Sequence, residues 1–520
     1  MPKLTRGISV SVLDQLLKPT KMDASSRQLC LDDTRVDVQN QLADLLTRPS
    51  DSPHCRLIWL TGIAGSGKSA LLNSVAERFR KLKQRGALIF FEQSNAATAG
   101  DVVHTLAYQL ALFSPPFAEK LHDQIEKDGD TFSCPLPAQF QTLLEEPSKA
   151  VDALADHPPV IICIDGLDEF GSEESRKQLL NLISGHISKL PALFRILMAS
   201  REEKDIGSSF SNINVQQVRL LIDDEATARD IKTYFQRRLV PVAGVPDWPG
   251  VIQQLTDRAG ELFIWASTAV LFIECGRPKR QLQTLLESAA PGESLTKLQK
   301  LYQLINHQFE NFSPQDLDDV CRVLGAIVVA RERLTDDVLM RLVSLDAETM
   351  HEFLSRLRPF LEWSTGKPIG VHASFLDFLQ DPTEEHWWFV DRATHHRRLA
   401  TACFRIIRDD LRFNICRLES SYHKNKNIEG INERIDQHIA ADLMYSCRYW
   451  ADHLALGVTA RSDGGDLADN VRFFLRERFL FWLEVLSLTN RIHIVPNVLS
   501  TALGWCKVRI YWACRMRSKY

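Results

Sequence analysis

The sequence predicts an α/β fold: a parallel sheet with helices on both faces, followed by a helical lobe, a winged helix and a helical C-terminal region. Three observations lead to it. Short apolar runs alternate with amphipathic helical patterns from Leu57 to about Leu220. A glycine-rich GxxxxGK[ST] segment sits between the first such run and a helical stretch. Strand signals fade after about residue 223, where helical periodicity takes over.

The strand-like runs are Leu57–Leu60, Ala87–Phe91, Val160–Ile164, Phe194–Ala199 and Val215–Leu220. The first three are apolar throughout rather than alternating, as expected of strands covered on both faces, while Phe194–Ala199 carries Arg195 and Val215–Leu220 is mixed. The segments Ala226–Leu239, Glu261–Glu274 and Ser294–Phe309 read as helices. Between Phe360 and His372, two apolar runs flank Ser364-Thr365-Gly366-Lys367-Pro368, a hairpin signal inside a helical context that suggests a winged helix. Beyond residue 386 the chain is again helical, with Trp387, Trp388, Tyr449, Trp450 and Trp482 as apolar anchors and no repeat of 20 to 50 residues. The expected division is 1–27 lead-in, 28–240 phosphate-binding domain, 241–310 helical lobe, 311–385 winged helix and 386–520 helical C-terminal region.

Composition narrows the function classes. A chain of 520 residues supports several cores, and 45% hydrophobic with 25% charged residues is ordinary for a folded globular protein. The 62 Lys and Arg against 66 Asp and Glu give a net charge of −4, so no global field draws the chain to nucleic acid or an anionic membrane. Eleven scattered cysteines without a CxxC pair fit a reducing, cytoplasmic setting. The N-terminus lacks a secretory pattern, and the run Leu262–Ile273 is shorter than the roughly 20 residues of a membrane span. No membrane partner is expected.

The chemistry is concentrated in three motifs. Gly62-Ile63-Ala64-Gly65-Ser66-Gly67-Lys68-Ser69 is a P-loop: Gly62, Gly65 and Gly67 let backbone N–H groups of the loop, Ser66 and Ala70 included, turn toward phosphates at a helix N-terminus. Lys68 can reach β and γ phosphates, and the Ser69 hydroxyl can ligate Mg²⁺. The second motif is Val160–Asp165 followed by Gly166-Leu167-Asp168-Glu169, a buried strand ending in carboxylates. Asp165 can hold the Mg²⁺ shell while Asp168 or Glu169 orients the attacking water. The third is Phe194–Arg201, a strand ending in Ser200 and a guanidinium able to meet a γ-phosphate. Together they predict binding of a nucleoside triphosphate with Mg²⁺.

These motifs, with the small residue Gly166 after the first Asp and acids following, resemble the NACHT family of STAND-class P-loop NTPases. Further stretches resemble fungal NACHT proteins: Gly260-Glu261-Leu262-Phe263-Ile264-Trp265, Val371–Leu379 and Asn414-Ile415-Cys416; the P-loop region is also similar to the nephrocystin-3 N-terminal domain. The resemblance covers about residues 28 to 455 and implies a molecular switch: ADP-bound and closed, ATP-bound, open and self-associating, reset by hydrolysis. It implies Glu169 as the main water-orienting carboxylate, Asp168 being the alternative, and a sheet in which the Phe194–Ala199 strand lies between the P-loop strand and the Val160–Ile164 strand. It also implies that His372, by position, contacts the β-phosphate of ADP. Relatives place Gly-Leu-Pro near the adenine where this chain has Gly260-Glu261-Leu262-Phe263, so that proline contact is not carried over. Family members carry an N-terminal effector and C-terminal repeats, and neither is recognised in this sequence.

Two rival readings are a non-hydrolysing nucleotide-binding scaffold and an ATPase acting on nucleic acid; the latter needs a basic tracking groove that the sequence lacks. The basic and aromatic stretch Lys507–Lys519 reads as a solvated helix face, and His386, His395 and His396 as helix residues without a metal-ligand set.

Overall fold

The computed structural model describes residues 3–5, 8–17, 19, 28–48, 56–91, 97–127, 130–152, 158–171, 173–211, 214–220, 225–242, 244–260, 262–275, 277–287, 297–382, 386–420, 422–457 and 465–517. Glu261 and the end of the basic stretch, 518–520, lie outside them. Two compact units divide the chain, Met1–Leu301 and Tyr302–Tyr520.

The first unit is built on five parallel strands: β1 (Leu57–Thr61), β2 (Arg85–Phe90), β3 (Val160–Asp165), β4 (Phe194–Ser200) and β5 (Val215–Arg219). Their order is β2-β3-β4-β1-β5, so β4 lies between β1 and β3, as the family resemblance implied. Register fixes the strand ends: Thr61 pairs with Ser200, and Phe90 with Asp165. Because side chains alternate across a strand, odd and even positions feed different cores. Trp59, Ile89, Ile162, Ile164, Ile196 and Met198 join one core, with helix α3 (Ala99–Phe113) and helix α4 (Glu173–His186) packed there. Ile58, Leu60, Phe90, Cys163, Leu197 and Ala199 join the other, under α1 (Val36–Thr47) and α2 (Lys68–Lys81). Double coverage explains the uninterrupted apolar runs Leu57–Leu60 in β1, Val160–Ile164 in β3 and Ile196–Ala199 in β4. The outer strand β5 shows most of its side chains to solvent.

Helices α5 (Glu225–Arg238), α6 (Trp248–Ala259) and α7 (Phe263–Glu274) complete the first unit's main elements. Asp247 caps α6 by accepting from Gly250 N at 3.3 Å, with proline at the helix start.

In the second unit, α8 (Pro314–Val329), α9 (Asp336–Val343) and α10 (Ala347–Leu357) lead into an antiparallel pair, β6 (Leu361–Glu362) and β7 (Gly370–Val371). The turn predicted at Ser364–Pro368 joins these two short strands. Ile369 N also donates to Leu334 O at 2.8 Å, bringing the start of α9 alongside the hairpin. A short helix α11 (Ala373–Leu379) follows, then the packed pair α12 (Arg392–Asp410) and α13 (Ala441–Leu456). Trp388, Trp450 and Trp482 are buried in this unit, and Trp482 Nε1 donates to Cys447 O at 2.8 Å. Among the described residues, no helix is long and apolar enough to cross a membrane.

Candidate functional site

The site forms where the carboxyl ends of β1, β3 and β4 meet the first turn of α2, the crevice at which parallel sheets bind ligands. Gly65 and Gly67 have φ of +77° and +91°, in the left-handed region that favours glycine. A Cβ on Gly65 would lie 2.1 Å from Ile264 Cγ2, so side-chain bulk is excluded there as well. Gly62 is held to glycine by close approach: a Cβ would lie 2.8 Å from Ser66 Oγ. Gly67 is the N-cap of α2, which leaves the first N–H groups of that helix, at Lys68, Ser69 and Ala70, without carbonyl partners within the helix.

Lys68 folds over the loop, and its ammonium donates to Gly62 O and Ile63 O, both at 2.8 Å. Burial pushes its pKa down, while the Asp168 and Asp165 carboxylates pull it back up. Among the described residues the buried Ser66 Oγ has no hydrogen-bond partner. A phosphate-binding loop fits these observations: an orphaned hydroxyl, a half-buried cation and a cradle with no room for side chains. The Ser69 hydroxyl and the Asp165 carboxylate are hard oxygen donors of the kind Mg²⁺ takes.

Asp165, nearly fully buried, ends β3, and its carbonyl accepts from Phe91 N at 2.9 Å. Gly166 follows with φ +72°, and a Cβ there would stand 2.7 Å from Phe91 O. The small residue after the acidic strand end is therefore required by the neighbouring backbone. Gly166 turns the chain into a single helical turn, Leu167–Glu169, that carries Asp168 and Glu169. Arg201 N donates to Asp168 Oδ1 at 3.0 Å, and Arg201 Nε lies 3.2 Å from Asp168 Oδ2. Arg176 Nη1 donates to Asp168 O at 3.1 Å, and Arg176 Nε donates to Asp205 Oδ2 at 2.6 Å.

Ser200 sits beside this cluster, but its hydroxyl is used locally. It accepts from Trp59 Nε1 at 2.8 Å and donates to Arg201 O at 2.8 Å. His372 belongs to the other unit, where it caps α11: Nδ1 accepts from Ser374 N at 3.2 Å and lies 2.7 Å from Ser374 Oγ. The Ser374 hydroxyl also meets Tyr302 OH at 2.7 Å.

Sequence reasoning missed Arg35. It is buried, adopts φ +56°, and its side chain reaches the P-loop by donating to Ser66 O at 3.2 Å. No periodicity or motif marks it. The contact of α7 on the P-loop was also unforeseen, although Phe263 and Ile264 lay in a segment singled out for its family resemblance: Ile264 N donates to Gly65 O at 3.1 Å.

Residues 39–201 match the nephrocystin 3, N-terminal family. Vegetative incompatibility protein HET-E-1 of Podospora anserina is 25% identical over 493 residues, an alignment covering 85% of this chain and 34% of that protein. The chain thus spans about a third of that relative's length. Among solved structures, Cdc6p from Pyrobaculum aerophilum is 11% identical, covering 71% of this chain and 96% of that one, with a TM-score of 0.34. The Orc1 protein of Aeropyrum pernix, solved in complex with DNA, is 13% identical, covering 67% of this chain and 94% of that one, with a TM-score of 0.31. The nephrocystin-3 match lies across the phosphate loop and the acidic strand, the fungal relative extends over both units, and together they support a fungal NACHT-type P-loop NTPase.

Proposed function

We propose that this chain is a STAND-type signalling switch that binds ATP in preference to GTP and hydrolyses it slowly with Mg²⁺. One observation carries the reading: the sheet order brings Lys68, Asp165, Asp168 and Arg201, from three separate motifs, to one sheet end. A cation beside carboxylates over an N-terminal helix turn suits a Mg-nucleotide, whose charge needs both signs around it.

In this reading, Gly62, Gly65, Ser66, Gly67, Lys68, Ser69 and Ala70 hold the phosphates. Ser69 and Asp165 hold Mg²⁺, which when bound neutralises charge on the β and γ oxygens. Glu169 orients the attacking water, with Asp168 as the alternative; Arg201 and Ser200 stand at the γ-phosphate side. His372 contacts the β-phosphate of ADP and favours the closed state. Residues 28–240 form the nucleotide domain, 241–310 the helical lobe, 311–385 a winged helix and 386–520 the helical C-terminal region. Three helices followed by an antiparallel hairpin support the winged-helix reading. The ATP state self-associates, and free thiols among the described residues suit a reducing cytoplasm.

The test is to release and identify the nucleotide that copurifies with the chain, then to measure turnover and mass in solution with ATP and Mg²⁺. Copurified adenine nucleotide, slow turnover and ATP-dependent association support the switch. Binding with no turnover, even in associated protein, would favour a nucleotide-binding scaffold.

A further inference from the structure

The first residues of the nucleotide domain, ahead of α1, are fastened to its helices at several points. Cys30 N donates to Ser74 Oγ on α2 at 2.8 Å, and Thr34 closes a turn by donating to Leu31 O at 2.6 Å. Arg237 of α5 donates to Asp32 O at 3.0 Å and pairs with Asp33. At the end of this strap stands Arg35, whose left-handed backbone turns the chain into α1. Its amide donates to Asp230 Oδ2 of α5 at 3.0 Å, and Nη1 donates to Thr227 Oγ1 at 2.8 Å. The guanidinium lies over the Phe263 ring at 5.0 Å. The remaining arm, Nη2, reaches Ser66 O in the P-loop.

A buried guanidinium on a loop carbonyl has a directional consequence. A trans peptide is planar, so the Ser66 C=O and the Gly67 N–H point in opposite directions. With the carbonyl drawn outward to Arg35, the Gly67 N–H is turned to the inner side of the loop, where Lys68 lies on Gly62 O and Ile63 O. A charged donor on the carbonyl also polarises the amide on its far side. Gly67, at φ +91°, has no side chain to resist rotation of that peptide, so something outside the loop must set it.

We propose that Arg35 is a positioning residue for the phosphate cradle: it fixes the Ser66–Gly67 peptide with its N–H toward the β-phosphate, and through Thr227 and Phe263 makes that orientation depend on α5 and α7. The inference rests on the nucleotide-binding reading above. It assigns to the strap a part in recognising the diphosphate, beyond its packing against α2 and α5. Arg35 touches no substrate and acts only through the peptide it holds.

The test compares ADP with AMP, because AMP lacks the phosphate that the Gly67 N–H would meet. Dissociation constants are measured by calorimetry with Mg²⁺ for the unaltered chain, Arg35→Lys and Arg35→Gln. The expected result is ADP weakened by at least about tenfold, the scale of a charged hydrogen bond, with AMP nearly unchanged. The ADP-to-AMP affinity ratio therefore collapses. Parallel loss of both ligands, or loss of neither, overturns the proposal and leaves Arg35 a structural anchor. If Arg35→Gln does not fold, Thr227→Val keeps the arginine and removes one of its anchors; a smaller fall in the ratio is expected, and an unchanged ratio counts against the proposal. Absence of ADP binding by the unaltered chain removes the nucleotide reading itself, and the inference with it.

Discussion

Arg201 and Asp168 are joined twice, by the Arg201 amide on one carboxylate oxygen at 3.0 Å and by its Nε 3.2 Å from the other. Both oxygens of Asp168 are thereby engaged with the end of β4. A carboxylate so held is better suited to placing Arg201 and balancing Lys68 than to polarising a water, which favours the proposal that Glu169 orients it.

The expected outcome is a separation of the two acids. Glu169→Gln should keep ATP affinity within about threefold while slowing turnover by about a hundredfold or more, the scale of lost general-base assistance. Asp168→Asn should loosen Arg201 and weaken ATP more than ADP. Single-turnover hydrolysis and equilibrium binding check both. Unchanged turnover in Glu169→Gln with an inactive Asp168→Asn would reverse the assignment.

His372 offers a test that separates a helix cap from a phosphate contact. Its Nδ1 is engaged at the start of α11, so His372→Ala should cost about 1 kcal/mol of stability, as cap removal does. His372→Asn should retain the cap. If His372 also holds ADP, both variants should speed ADP release in stopped flow with a fluorescent ADP. Unchanged ADP release in the Asn variant would leave His372 a cap alone.

Acid sensitivity is expected from the helix pair α12 and α13. Arg331 N donates to Tyr445 OH at 3.1 Å; Tyr445 OH meets His453 Nε2 at 2.8 Å and His453 Nδ1 meets His396 Nδ1 at 2.9 Å, these last two contacts being buried. Burial, then the Arg398 charge, lowers His395 to about 4; burial, then Arg392 and Arg331, lowers His396 to about 4. Burial also lowers His453. These pKa values lie below the ordinary 6.5, so the unfolded chain takes up protons before the folded one does. Their stabilisation is complete above about pH 6.5 and is lost as pH falls toward about 4, where the folded His395 and His396 titrate. Melting temperature should fall steeply over that window, and His396→Gln should flatten the fall. An equal slope in the variant would show that other groups set it.

How far the sequence foretold this molecule depended on whether a local pattern accompanied the feature. The loop Gly62–Ser69 and the strand ending at Asp165 were legible because phosphate binding demands fixed residue types at fixed spacing. The hairpin at Leu361–Val371 was legible from its turn residues, and Trp388, Trp450 and Trp482 were rightly taken as core anchors. Position between β1 and β3 was no property of the Phe194–Ser200 stretch itself, and came only from resemblance. Arg35 was invisible because a left-handed arginine leaves no compositional trace, and because its partners Ser66, Thr227 and Asp230 are distant in sequence. Ser200 was marked by its place at a strand end, but no local pattern announced that Trp59, one strand away, donates to its hydroxyl.

The central claim, a nucleotide held by the P-loop, is tested most directly by titrating Mg-ATP and Mg-ADP into the purified chain and into Lys68→Ala in a calorimeter. Lys68 is the half-buried cation of the loop, and its ammonium rests on Gly62 O and Ile63 O. Removing a charge-assisted contact to phosphate costs about 1.5–3 kcal/mol, a loss of roughly ten- to a hundredfold in affinity. The account predicts saturable binding to the unaltered chain and a loss of at least that size in the variant. Equal affinities for the two proteins, with both folded, would contradict it.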